Sequence, residues 1–121
     1  MWVDDVLKFW FEEIESKAWF TKSDDFDSEV KRRFGALHES LIQGQTPVPR
    51  NARSYLAAII VLDQFSRNLH RGSPLAFAAD HQALELAKQA MEWGFDREVT
   101  ARERAFFYMP LMHSEALEDQ E

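Results

Sequence analysis

Asp63, Gln64, Arg67, Asn68 and Arg71 crowd the end of one stretch, Tyr55 to Gly72 (YLAAIIVLDQFSRNLHRG), directly after an unbroken apolar run from Leu56 to Leu62. Asp63 and Arg67 are four residues apart, the helical spacing at which a carboxylate and a guanidinium can meet, and Gln64 and Asn68 repeat that spacing on the adjacent face. Arg71 lies four beyond Arg67. Two arginines at a helix corner can bind a carboxylate or phosphate bidentately, with backbone N–H groups of the following helix adding donors. The alternative is structural: Asp63 and Arg67 form a satisfied internal pair, and Arg71 is a solvated charge favoured by the helix dipole.

A second constellation is Tyr108-Met109-Pro110-Leu111-Met112-His113-Ser114-Glu115. His113 and Glu115 do not share a helical face, so adjacency does not make them an acid–base couple. Tertiary packing of His113 against Asp63 would supply the parts of general-base catalysis, since a carboxylate can fix the imidazole tautomer while the other nitrogen takes a proton. Against catalysis, no serine sits in a Gly-flanked elbow and no oxyanion hole is evident. His81 and Glu85 are four apart on a helix and Asp80 is adjacent, but no third ligand follows at a recognisable spacing, so no metal is expected. No Gly-rich phosphate loop, dinucleotide fingerprint or P-loop is present, and no cofactor is expected.

These groups need helices to position them. The run from Leu56, continued by Phe65 and Leu69, predicts a central helix buried on nearly every side. Before it, Val3, Val6, Leu7, Trp10 and Ile14 form one helical stripe. Phe26, Val30, Phe34, Leu37 and Leu41 form another, with Ser23 as N-cap and Gly44 as stop. Between these, Lys17 to Ser23 breaks the period but keeps Trp19 and Phe20, which predicts a short connection held by aromatic packing. Gln45 to Arg50 contains two prolines and reads as a loop. Beyond the central helix, Gly72-Ser73-Pro74 marks a tight corner, and a helix capped by Asp80 is expected to turn Leu84, Ala87 and Met91 inward before Gly94 ends it. Thr100 and Glu103 have capping-box spacing and open a last helical stretch toward Glu118, kinked or divided at Pro110. Nothing alternates with period two, so the fold class is all-α, an antiparallel bundle in a single domain over residues 1–121.

Composition narrows the function. The 121 residues are 45% hydrophobic with a net charge of −7. That balance argues against nucleic acid or an anionic membrane as main partner, because both need a basic surface. The absence of cysteine excludes disulfides, zinc-thiolate sites and thiol catalysis and suits a cytoplasmic location. No leader opens the chain and no apolar run is long enough to span a bilayer.

LDQFSRNLHRGSPLAFAAD (Leu62 to Asp80) and FFYMPLMHSEALEDQE (Phe106 to Glu121) resemble the two central signatures of domain-of-unknown-function family 924, an uncharacterised and mainly bacterial family. FWF at Phe9 to Phe11, WF at Trp19 and Phe20, and RF at Arg33 and Phe34 resemble its opening block. The resemblance implies a tetratricopeptide-like fold of helix pairs. It also implies that family members continue past Glu121, which leads to the expectation that apolar faces of the Leu56 and Phe106 helices are covered by self-association, as a homodimer. Two functional classes follow. The first is a helical interaction or scaffold module holding a peptide or protein partner in a groove, with Arg67, Arg71 and His113 reading acidic groups. The second is a binder of small anions or a hydrolase-type enzyme converging Asp63, Arg67, Tyr108 and His113 on a closed pocket. Catalysis is the less expected of the two. Pocket shape separates them, an open groove favouring the first.

Overall fold

Three helix starts in this chain carry side-chain caps. Ser23 Oγ accepts the Phe26 N–H at 3.3 Å and opens α2, Asp24–Ile42. Asn51 Oδ1 accepts the Ser54 N–H at 2.8 Å and opens α3, Ala52–Ile59, a start not evident among the surrounding prolines. Thr100 and Glu103 close a reciprocal capping box, Thr100 N–H to Glu103 Oε1 at 2.9 Å and Glu103 N–H to Thr100 Oγ1 at 3.2 Å, at the head of α6, Ala101–His113. Each satisfies donors that the first helical turn otherwise leaves unpaired. Gly44, Gly72 and Gly94 carry positive φ at 71°, 81° and 76°, which lets the chain leave its helices at the expected corners.

The computed structural model describes residues 1–113, and over these the protein is an all-α helical bundle with no strand among the described residues. The first helix, α1, spans Trp2–Lys8 and passes directly into a π-helical turn, Phe9–Glu13. The central element is composite. Helix α3 runs into a π-helical turn, Ile60–Phe65, and then into α4, Ser66–Leu69. Helices α1, α2 and α6 pack on it, as does α5, Asp80–Glu92. Every residue from Tyr55 to Ser66 is buried, the expected fate of a helix apolar on nearly all sides.

Aromatic rings tie the first helix to the centre. Trp10 is fully buried and meets Phe65 and Phe106 edge-on at 5.6 and 5.7 Å. Trp19, on a 3₁₀ turn at Ser16–Trp19, stacks on Trp10 at 5.9 Å and donates its Nε1–H to the Trp10 carbonyl at 2.8 Å. The connection at residues 17–23 is thus held as its aromatics suggested.

Three details depart from the helical pattern read in the sequence. Ala83, Ala87 and Ala90 form the buried face of α5, while Leu84 is only half-buried and Met91 lies at its edge. Small side chains let α5 approach α3 closely, so the alanines rather than the bulkier residues take the interior. Asp80 does not cap α5; it is the helix's first residue and its carboxylate turns to Arg67. Helix α6 is not divided at Pro110 and runs to His113; its expected course toward Glu118 lies outside the described residues. Leu56 and Phe106 are 0% and 1% exposed. These two side chains are therefore covered within the chain. Among the large exposed apolar side chains are Phe20, Leu75, Phe77 and, on α6 itself, Met112. No described helix is long and apolar enough to cross a membrane.

Candidate functional site

The central helix carries Asp63 into the interior on its π-helical turn, where the side chain is 1% exposed. A buried carboxylate needs donors on both oxygens. Its Oδ1 accepts from His113 Nδ1 at 2.9 Å and its Oδ2 from Gln64 Nε2 at 2.8 Å. The first of these joins residues fifty apart in sequence. Because an ionised carboxylate only accepts, the bond places a His113 proton on Nδ1, and in the neutral ring Nε2 is then the acceptor. The His113 side chain is 30% exposed and lines a cleft.

Arg67 lies on the other flank of Asp63. Its Nη1 donates to the Asp63 carbonyl and to Asp80 Oδ1 at 3.1 Å, and its Nη2 to Asp80 Oδ2 at 3.3 Å. Nη1 is 3.5 Å from Asp63 Oδ1. The four-residue pairing of Asp63 and Arg67 is thus the weaker contact, and the two-pronged bond to Asp80 is the main one. Gln64 and Asn68 likewise have separate partners. Gln64 bonds Asp63, and Asn68 Nδ2 donates to Asp27 Oδ1 on α2 at 2.8 Å.

Arg71 is committed elsewhere. Its Nε and Nη2 donate to Asp27 Oδ2 and Oδ1 at 2.7 and 3.0 Å. Burial alone would raise the Asp27 pKa, but the Arg71 and Asn68 hydrogen bonds outweigh it and hold the carboxyl below its ordinary value. The two arginines thus serve separate carboxylates and do not form one clamp. Tyr108 also stands apart: its hydroxyl donates to Asp96 Oδ2 at 2.9 Å, and that bond raises the phenol's pKa. Glu115 lies outside the described residues, as does Ser114. Among the described residues no group of three His, Cys, Asp or Glu side chains could hold a metal ion.

The cleft has a volume of about 700 Å³ and is lined by Arg67, Phe77, Asp80, His81, Leu84, Pro110 and His113. Phe77 comes from the 3₁₀ turn Pro74–Phe77, Asp80 to Leu84 from the first turns of α5, and Pro110 and His113 from the end of α6. The Arg67 guanidinium sits over the Phe77 ring, 5.2 Å from its centroid. Apolar surface and two imidazoles thus surround one ion pair.

A further polar cluster escaped the sequence reading. His38 on α2 is 3% exposed, and its Nε2 is 2.6 Å from Ser66 Oγ. Ser66 already donates its hydroxyl proton to the Leu62 carbonyl at 2.6 Å. His38 must therefore carry its proton on Nε2 and donate it to Ser66. Burial, reinforced by the nearby His70 ring, pushes the His38 pKa below the ordinary imidazole value. Its position between Phe34 and Leu41 on the apolar stripe was the available signal, since a histidine on that face must be inside.

A protein of unknown function from Agrobacterium tumefaciens has a solved structure similar to this one, with a TM-score of 0.90 and 33% sequence identity over 98% of this chain and 67% of that one. No curated protein matches the sequence. Residues 6–121 match the model of the family described as bacterial protein of unknown function, DUF924. With the helical bundle, the Leu62–Asp80 segment and that match over nearly the whole length, the chain belongs to the DUF924 family.

Proposed function

We propose that the protein is a helical interaction module that holds a peptide or protein partner in the cleft between the Pro74–Phe77 turn, α5 and α6. The carrying observation is the cleft's form. It is an open trough of about 700 Å³ with Phe77, Leu84 and Pro110 as apolar wall beside Arg67, Asp80, His81 and His113. A side chain or short helix of a partner can enter such a trough along its length, the way tetratricopeptide-like helix pairs hold their ligands. The exposed Leu75 and Met112, at 57% and 64%, belong to the same turn and the same helix end as the cleft's walls, and large exposed apolar groups are what a binding surface presents. A cytoplasmic setting accords with the cysteine-free composition.

Selection of displayed peptides against the protein tests this, with Leu84→Glu as the counter-target. Peptides enriched on the parent and lost on Leu84→Glu are expected. Equal enrichment on both would overturn the reading.

A second reading rests on the Asp63–His113 bond. A carboxylate behind Nδ1 with Nε2 facing a cleft is the arrangement of a general base. Water or a hydroxyl group bound at Nε2 would be its proton donor. The reading requires a hydrolytic or proton-transfer activity that His113→Gln abolishes while the fold persists; a screen of ester and amide substrates in which parent and variant are equally silent would reject it.

A further inference from the structure

The proposed cleft has an electrostatic sign, and it is opposite to the one that the arginines suggest in sequence. Arg67 and Asp80 line it as an ion pair, and the carboxylate of Asp63 is buried directly behind Arg67 and His113. With that buried carboxylate counted, the formal charge of the group is one unit negative. Arg67 is already paired with Asp80, lies 3.5 Å from the Asp63 carboxylate and is covered on one side by the Phe77 ring, so an incoming anion would meet a guanidinium whose charge is offset by two carboxylates. Arg71, the second cation that an anion site would need, is held by Asp27. Acceptors, by contrast, remain available. Each Asp80 oxygen takes one Arg67 hydrogen and has a further lone pair, and the carboxylate is 30% exposed. His113 lines the same cleft, and with Nδ1 bonded to Asp63 its neutral ring has Nε2 as a further acceptor. The neighbouring wall of Leu84, Pro110 and Phe77 is apolar.

We infer that the partner enters the cleft with a basic side chain, a lysine ammonium or an arginine guanidinium flanked by apolar residues. The cation donates to Asp80 and to His113 Nε2, while its aliphatic stem and an adjacent apolar side chain lie on Leu84 and Pro110. The net charge of −7 on the whole chain works in the same direction by drawing basic segments toward the surface. This inference rests on the cleft being a peptide site and adds the chemistry of the occupant.

The test is fluorescence polarisation with three labelled peptide sets of equal length and the same apolar positions, whose central residue is Lys or Arg, Glu, or Gln. The basic set is expected to bind about tenfold or more tighter than the acidic set, with the advantage shrinking as salt is raised. Asp80→Asn removes a charge and frees Arg67, so the variant is expected to lose the basic preference and gain affinity for the acidic set. If Asp80→Asn fails to fold, the comparison on the parent protein decides alone. Stronger binding of the acidic set would overturn the inference while leaving the cleft as a peptide site. Equal binding of all three sets would overturn it too. If no set binds and sedimentation shows a dimer that Leu84→Glu dissociates, a second copy fills the cleft and the inference fails. Absence of both binding and a dimer would remove the peptide-site reading along with it.

Discussion

Arg67 is the residue on which the polar centre turns, since it holds Asp80 by two hydrogen bonds and touches both the carbonyl and the carboxylate of Asp63. Replacing it with Met removes the guanidinium that pairs with Asp80 and leaves Asp63 with Gln64 and His113. Stripping one member from a buried ion pair strands the other charge, so Arg67→Met is expected to lose roughly 2–4 kcal/mol in chemical denaturation. Adding Asp80→Leu to that variant should recover part of the loss; a double variant that is simply additive would show that the two side chains do not interact. His38 supplies a pH dependence. Its folded pKa lies below the ordinary value of 6.5 because the buried ring resists charging and His70 repels it, with a weaker opposing pull from Glu39. The unfolded chain then binds the proton at higher pH than the native chain does. Stability is expected to be complete above about pH 6.5 and to fall as the pH drops toward the folded value. Denaturation of His38→Gln across the same range should show a flatter slope, and an unchanged slope would assign the dependence to other groups.

At the scale of elements, the π-helical turn at Ile60–Phe65 is what makes the site differ from a simple helical projection. It turns Asp63 toward α6 and His113, and it leaves Arg67 facing α5, so one helix serves two neighbours. π-Helical turns recur at functional positions because they redirect side chains without ending the helix. The caps are the cheaper determinants to test. Asn51→Ala removes the acceptor for the Ser54 N–H at the start of α3, and a loss of about 1 kcal/mol is expected, against only a few tenths for Asn51→Gly. Thermal or urea melts distinguish these. If both variants match the parent, packing alone fixes that helix start.

Over the whole molecule, the aromatic cluster welds the first helix to the central one. Trp10 contacts Trp19, Phe26, Phe65 and Phe106 and is fully buried. Trp10→Ala is expected to cost about 3–5 kcal/mol, through lost burial and the cavity left behind. For a domain of this size that is a large share of total stability, so the variant should melt at much lower temperature or fail to fold. The all-α class, the buried central helix, the Ser23 and Thr100 caps and the glycine stops were legible in the sequence, because periodicity, capping and positive φ are local properties of the chain. The alanine face of α5 was less so, since which residues go inside depends on how closely α3 approaches. The polar centre was legible only as an inventory. Asp63, Arg67 and His113 stood out by type, but their partners come from residues 13 and 50 positions away. Helical spacing cannot register such contacts, and a π-helical turn disturbs the spacing itself. Tertiary structure alone decided that Arg67 and Arg71 part company, because Asp27 on α2 and Asp80 on α5 approach the central helix from different sides and each captures one guanidinium.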